Sequence, residues 1–238
     1  MHISKEIGLI MNNNELFIEK YKELEYVITK RYNLGKTISP IAYIEKRSEY
    51  DHFEKELEYC REVRNFLQHE GKINNEFAVT ASSEMIKKLD EIIEFVRNPI
   101  RIKDVYIPLS KVYYKGLDNF VYPSMLSMDY KKYSHIPIIK DKKLIGVFSK
   151  TSIFKYLLEE DINRLNEDLS FRDIEKYISL NEEYYLYEKL QTPVEEVKEE
   201  VIKNFKQGKR IAIIFVTKDG TINSELIGLL TPYDILGY

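Results

Sequence analysis

The chain has 238 residues, 44% hydrophobic and 32% charged, with a formal net charge of -3 from Lys+Arg 36 against Asp+Glu 39. That composition suits a globular protein with room for two ordinary domains; it excludes a disordered chain and one drawn to nucleic acid by a global basic charge. The lone cysteine, Cys60, rules out an intramolecular disulfide and a multi-cysteine zinc site, so no metal is expected, and its place on an apolar helix face points to a buried thiol. The opening MHISKEIGLIMNNN is too short and too acidic for a secretory signal. No apolar stretch approaches a membrane span, and the expected location is cytoplasmic.

Up to Asn98 the apolar residues recur at helical spacing. NNNELFIEKYKELEYVITKRYNLG offers an Asn cap, then Leu16, Tyr21 or Ile18, Leu24, Val27 and Ile28, with an expected end at Gly35. SPIAYIEKR places Ser39 as a cap and Pro40 at the first helical position. EYDHFEKELEYCREVRNFLQHEG carries Phe53, Leu57, Cys60, Arg64 and Leu67 along one stripe, closed by Gly71. TASSEMIKKLDEIIEFVRNP is a capped helix that Pro99 stops. Residues 1–98 therefore read as a small helical bundle.

After Pro99 the rhythm changes to short β-type runs: KVYY, HIPII, KLIGVF, IAIIFV and LIGLL, with helical segments between them. SHIPIIKDKKLIGVFSKTSIFKYL aligns with KRIAIIFVTKDGTINSELIGLLTPYDILGY, each a strand, a polar turn, a second strand with Ile-Gly, and a hydroxyl residue that opens a helix. Ser134-His135 then matches Lys209-Arg210, Gly146 matches Gly228, Ser149 matches Thr231 and Ser152 matches Asp234. An apolar-periodic helix precedes each hairpin, from Val121 to Tyr133 and from Val194 to Phe205.

These strings, at matching separations in two copies, resemble a pair of CBS motifs of the cystathionine-β-synthase type. The resemblance covers residues 99–238, with a first motif over about 99–160 and a second over about 170–238. It implies an α+β protein in which an N-terminal helical bundle precedes a tandem module that binds adenosine-containing ligands. AMP, ADP, ATP and S-adenosylmethionine are the implied regulatory ligands, and homodimerisation is the implied assembly.

The stretch LIGLLTPYD can be read in two ways. Thr231 can simply cap a helix with Pro232 at its first position and Asp234 at its third. The same geometry can also receive a phosphate at the helix start, with the carboxylate accepting from vicinal ribose hydroxyls. The resemblance gives Thr231 and Asp234 those binding roles. In the first copy Ser149 keeps the hydroxyl, while Ser152 stands where the acid should be and cannot grip a diol as strongly. His135, Lys209 and Arg210 hold the positions from which basic residues of the family point at phosphates. Only Ile235, Leu236, Gly237 and Tyr238 follow Asp234, so the closing helix is expected to be barely one turn or to be completed from elsewhere.

In the bundle, Arg64 lies on an otherwise apolar stripe, where a guanidinium is costly unless it is paired or the stripe faces a partner. Arg64-Asn-Phe-Leu-Gln-His69 resembles the R-x4-6-H motif of HEPN-type helical domains, many of which are dimeric, metal-independent ribonucleases. The resemblance implies that Arg64 stabilises phosphate charge, that Asn65 orients, and that His69 moves a proton. Arg47-Ser-Glu-Tyr-Asp-His52 matches the same motif, and a surface His with an Arg paired to a Glu is the plainer reading of either match. Three functions follow: a nucleotide sensor controlling the helical domain, a nucleotide-regulated ribonuclease with RNA as substrate, or a non-catalytic dimerisation module with a vestigial cleft.

Overall fold

A computed structural model describes residues 12–69, 77, 79–160, 166–178, 180 and 184–235. The chain divides into two compact units, Met1–Pro99 and Ile100–Tyr238.

The N-terminal unit contains α1 (Asn13–Tyr32), α2 (Pro40–Ile44), a 3-10 turn over Ser48–Phe53, α3 (Glu54–His69) and α4 (Ser83–Arg97). A reciprocal cap opens α1: Glu15 N–H donates to Asn12 Oδ1 at 3.0 Å and Asn12 N–H donates to Glu15 Oε2 at 3.3 Å. The helix closes at Asn33, which takes φ 49, rather than at Gly35. Asn tolerates the left-handed region well enough to serve as the stop. The expected closure of α3 at Gly71 lies outside the described residues. Phe17, Leu24 and Ile28 of α1, Leu57 and Cys60 of α3, and Leu89, Ile93 and Val96 of α4 share one core.

A half-buried polar cluster lies beside that core. Tyr32 Oη donates to Glu49 Oε1 at 2.9 Å, and Arg47 Nε donates to the same oxygen at 2.8 Å. Arg31 Nη1 donates to Tyr50 Oη at 3.0 Å and to the Val96 carbonyl at 3.1 Å. Burial holds the phenols of Tyr32 and Tyr50 above their ordinary range. Arg47 is thus committed to this cluster, while the His52 ring lies 4.0 Å from that of Phe53 and meets Phe95 edge-on at 5.0 Å. The Arg47/His52 pair is a packing feature.

Cys60 is 1% exposed, and burial, with a smaller contribution from Glu56, pushes its thiol up to about 12. The folded thiol holds its proton beyond the unfolded value of about 8.5, so its contribution to stability is complete below that pH and is lost as pH rises toward the folded value. Two outcomes are expected. A thiol reagent at neutral pH should label Cys60 only after denaturant is added, and the fall in melting temperature between about pH 8.5 and 10 should be shallower in Cys60→Ala.

The C-terminal unit runs α5 (Ile102–Val105), β1 (Ile107–Pro108), α6 (Val121–Lys131), β2 (His135–Lys140), β3 (Lys143–Ser149), α7 (Lys150–Glu159), β4 (Tyr184–Glu188), α8 (Val194–Lys206), β5 (Ile211–Thr217), β6 (Leu226–Leu230) and α9 (Pro232–Ile235). One sheet has the order β1-β6-β5-β4, with β4 parallel to β5, and β2 and β3 form a separate hairpin. That hairpin turns through Asp141 and Lys142, both left-handed at φ 50 and 62, as a two-residue turn between twisted strands requires. KVYY is not a strand: Leu109–Lys111 coil into a 3-10 turn, Val112 N–H bonds back to the Leu109 carbonyl at 3.1 Å, and Lys115 makes an isolated bridge to Ile138. The run YYLYE, which sequence reading passed over, is β4.

The two halves exchange their leading segments. β1, ahead of the first hairpin, pairs with β6 of the second, and Val147 N–H in β3 donates at 2.9 Å to the carbonyl of Ile178, ahead of the second hairpin. Gly146 and Gly228 sit at these two crossings. A Cβ at Gly146 would run into the Ile178 carbonyl oxygen, and one at Gly228 into the Ile107 carbonyl oxygen. The repeated Ile-Gly is therefore a close backbone approach used twice. Leu144 and Val147 from the first half then share a core with Ile213, Phe215, Leu226 and Leu229 from the second.

Candidate ligand-binding site

The paired hairpins place a hydroxyl at the end of each last strand, where a helix starts. Thr231 N–H and Thr231 Oγ1 donate to Asp234 Oδ2 at 2.7 and 2.8 Å, and Asp234 N–H donates to the Thr231 carbonyl at 3.0 Å. Thr231 precedes α9 as expected, but the Asp234 carboxylate makes the cap, and the Thr231 hydroxyl donates to it instead of accepting from a helix amide. One carboxylate oxygen, Oδ1, is not used by the cap, so capping and ligand contact are compatible. In the first copy Ser149 N–H donates to Ser152 Oγ at 3.1 Å and Ser152 N–H to Ser149 Oγ at 3.3 Å. Ser152 Oγ turns further inward to the Val147 carbonyl at 3.4 Å, and both serines are buried.

Several clefts open within the C-terminal unit; two of them carry predicted basic residues, and a further one that also reaches Ser149 and Lys150 is lined by Asp129. The one at Thr231, of about 310 Å³, is walled by Ile107, Val112, Tyr113, Tyr133, Pro137, Ile213 and Leu229, with Lys111, Lys132 and His135 also on its lining. Tyr113 and Tyr133 lie 6.0 Å apart between ring centroids, and Lys131 Nζ sits 4.8 Å from the centre of the Tyr113 ring. Thr231 lines this cleft directly; Asp234 reaches it only through the Thr231 hydroxyl it holds. The second cleft, of about 390 Å³, lies at Ser149 and is lined by Ser134, His135, Lys150, Thr151, Tyr184, Arg210, Ile211 and Ala212 as well. Ser134, His135 and Ala212 face both clefts. Ser134 Oγ and His135 Nδ1 are 2.8 Å apart.

The strand ladders revise one alignment. Ser149 pairs with His135 in the first hairpin, while Leu230, the residue before Thr231, pairs with Ile214 in the second. Counted from the ladder, His135 corresponds to Ile213, three residues beyond Arg210. The longer β5 and the longer turn take up the difference, which the alignment of the two strings could not detect. Lys209 and Arg210 precede β5. Arg210 lines the cleft at Ser149, whereas Lys209 does not line either cleft and holds its ammonium 5.7 Å from the Tyr184 ring centre. Sequence reading missed Lys150, Tyr184, Tyr113 and Tyr133. Lys150 carried a usable signal in its position directly after the helix-opening Ser149; the tyrosines carried none, being 3 among 19.

Residues 125–159 match the CBS domain family. The CBS match spans the second turn of α6 through the end of α7, the elements that carry His135 and Ser149. Solved structures with a similar arrangement include a CBS domain-containing protein of unknown function from Bacillus anthracis str. Ames Ancestor, at 23% identity over 58% of this chain and 91% of that one, TM-score 0.43. CBSX2 in complex with AMP is 17% identical over 58% of this chain and 93% of its own, TM-score 0.42. The CBS domain pair of protein MJ0100, in complex with 5′-methylthioadenosine and S-adenosyl-L-methionine, is 20% identical over 59% and 95%, TM-score 0.40. No curated protein matches the chain.

In the N-terminal unit, Arg64 is half-buried on α3, with its guanidinium 5.8 Å from the Tyr21 ring centre and Nη1 donating to Asn65 Oδ1 at 3.2 Å. Among the described residues no Glu pairs with it; Arg61 instead bonds Glu45, at 2.6 and 2.8 Å. Burial is the main cause of a Tyr21 phenol pushed up to about 12. His69 closes the described part of α3, and its side chain lies outside the described residues. Among the described residues no group of three His, Cys, Asp or Glu could hold a metal ion, and no helix is long and apolar enough to cross a membrane.

Proposed function

We propose that the C-terminal unit is a regulatory module that binds an adenine nucleotide or S-adenosylmethionine at Thr231 and Asp234, and that binding controls the N-terminal helical unit. In this reading residues 1–98 are the effector, residues 99–238 are a CBS pair, and the protein works as a cytoplasmic homodimer. The observation that carries it is the cleft at Thr231. Thr231, at the start of α9, lines an apolar and aromatic cavity whose ionisable lining residues, apart from the phenols of Tyr113 and Tyr133, are Lys111, Lys132 and His135. Apolar walls suit a base, the cations suit phosphate, and Asp234, which holds the Thr231 hydroxyl at the edge of the cleft, keeps Oδ1 to accept from a ribose hydroxyl that extends past the lining. Control of the helical unit requires that the ligand bind two of its arrangements with unequal affinity.

Calorimetric titration of the full chain with AMP, ADP, ATP and S-adenosylmethionine, with EDTA present, tests the site. Asp234→Asn keeps an acceptor for the Thr231 cap but loses the charge, and should weaken the preferred ligand by about tenfold. Unchanged affinity would return Asp234 to capping alone.

A second reading is favoured by Arg64, whose charge has no carboxylate partner among the described residues. As a HEPN-like ribonuclease the helical unit would cleave RNA without metal, with Arg64 neutralising phosphate, Asn65 orienting and His69 transferring the proton. Cleavage of single-stranded RNA in EDTA should then fall by at least about a hundredfold in both Arg64→Ala and His69→Ala. Cleavage that survives either substitution, or none in the parent, rejects this reading.

A further inference from the structure

The two clefts share a backbone plan but not a chemistry. At Thr231 the position one turn into the helix is a carboxylate, whereas at Ser149 it is Ser152, which is buried and turned to the Val147 carbonyl. The cleft at Ser149 therefore has no group there to read a sugar diol. Its ionisable lining residues, apart from the Tyr184 phenol, are His135, Lys150 and Arg210; Asp129, the acid of an adjoining cleft that also reaches Ser149 and Lys150, is paired with Lys132 at 3.2 Å. Lys150 and Arg210 arrive from separate segments, at the start of α7 and the entry to β5. Among the described residues neither side chain has a hydrogen-bond or ion-pair partner, although acidic side chains occupy 39 positions in the chain. Holding these cations around one cavity without an acid is electrostatically unfavourable, and a multivalent anion removes the cost. A guanidinium adds planar two-point contacts to phosphate oxygens, and an ammonium adds a point charge.

We propose that the cleft at Ser149 is a polyphosphate site: it takes a chain of phosphates, free or carried by a nucleotide, through Lys150 and Arg210, and is indifferent to the ribose hydroxyls. The inference builds on the nucleotide reading of the Thr231 cleft but can fail separately from it.

The test is calorimetric titration of the full chain at low ionic strength in EDTA, with inorganic tripolyphosphate, ATP and 2′,3′-dideoxy-ATP as probes. Tripolyphosphate should bind, more weakly as salt is raised, and the double variant Lys150→Ala/Arg210→Ala should lose about tenfold or more in affinity. Both residues are exposed, so its melting temperature should match the parent's, and Lys150→Glu provides a second, charge-reversing variant. In the Asp234→Asn background ATP and dideoxy-ATP should bind within about twofold of each other. The proposal is overturned by absence of tripolyphosphate binding, by equal binding in the double variant, or by a clear preference for ATP over its dideoxy analogue in the Asp234→Asn background. The nucleotide reading fails on a different result, AMP affinity that ignores Asp234→Asn. Tripolyphosphate without nucleotide binding would point to free polyphosphate as the source.

Discussion

Gly228→Ala is expected to lower the melting temperature of the C-terminal unit by on the order of 10 °C, and Gly146→Ala to do nearly the same. A Cβ at Gly228 would overlap the Ile107 carbonyl oxygen and approach Tyr106 Cδ2 to 2.8 Å. Neither obstacle is the far end of a flexible side chain: one is backbone held in the β1–β6 ladder, the other an aromatic ring beside it. The strand must retreat, and the retreat costs the ladder bonds as well as the overlap, together about 3 kcal/mol. At Gly146 the obstacle is the Ile178 carbonyl, which accepts from Val147 N–H. Gly116→Ala is the control, because its added Cβ would meet nothing closer than 3.7 Å. Calorimetric melting of the three variants decides the matter; if Gly228→Ala melted with Gly116→Ala, the exchange of leading segments would not be a source of stability.

Glu49→Ala should be the most damaging single truncation in the N-terminal unit, at about 3 kcal/mol. Glu49 Oε1 accepts from both Tyr32 and Arg47, and the side chains of Arg47 and Glu49 are only 13% and 9% exposed. Removing the carboxylate takes the shared acceptor from a largely buried guanidinium and a half-buried phenol, and water replaces it only in part. Glu49→Gln keeps an acceptor without the charge and should cost less than half as much. Glu84→Ala, which touches only an exposed partner at 3.9 Å, should leave denaturant midpoints unchanged. Urea titrations with equal m-values across the set would isolate the effect; a Glu49→Ala midpoint equal to the parent's would show that the cluster contributes nothing net.

Much of the candidate site could be read from the order of residues. Thr231 opening a helix, Ser149 doing the same in a second copy, and the matched glycines all lie within short strings, where caps and turns are local matters. Arg64 and Asn65 likewise fall on the expected helix, and Cys60 is buried as expected. Lys209 shows where such reading stops. It was matched to a strand entrance from the sequence, but which side chains reach a cleft depends on the register between β5 and β6, set by a ladder and not by spacing. Tyr113 and Tyr184 illustrate the same limit: neither is distinctive among 19 tyrosines, and each joins a cleft because of what folds against it.

Taken alone, the sequence determined the helical first half, its caps, the break at Pro99 and the twofold hairpin repeat, since each rests on periodicity or on hydrogen bonds between near neighbours. Only the tertiary structure decided that β1 pairs with β6, that Ile178 returns to β3, and that Ser152 turns inward while Lys150 and Arg210 meet at one cavity. Those outcomes join residues distant along the chain, such as Ile107 and Leu229, and their energies come from shared burial and backbone approach, which no local pattern encodes.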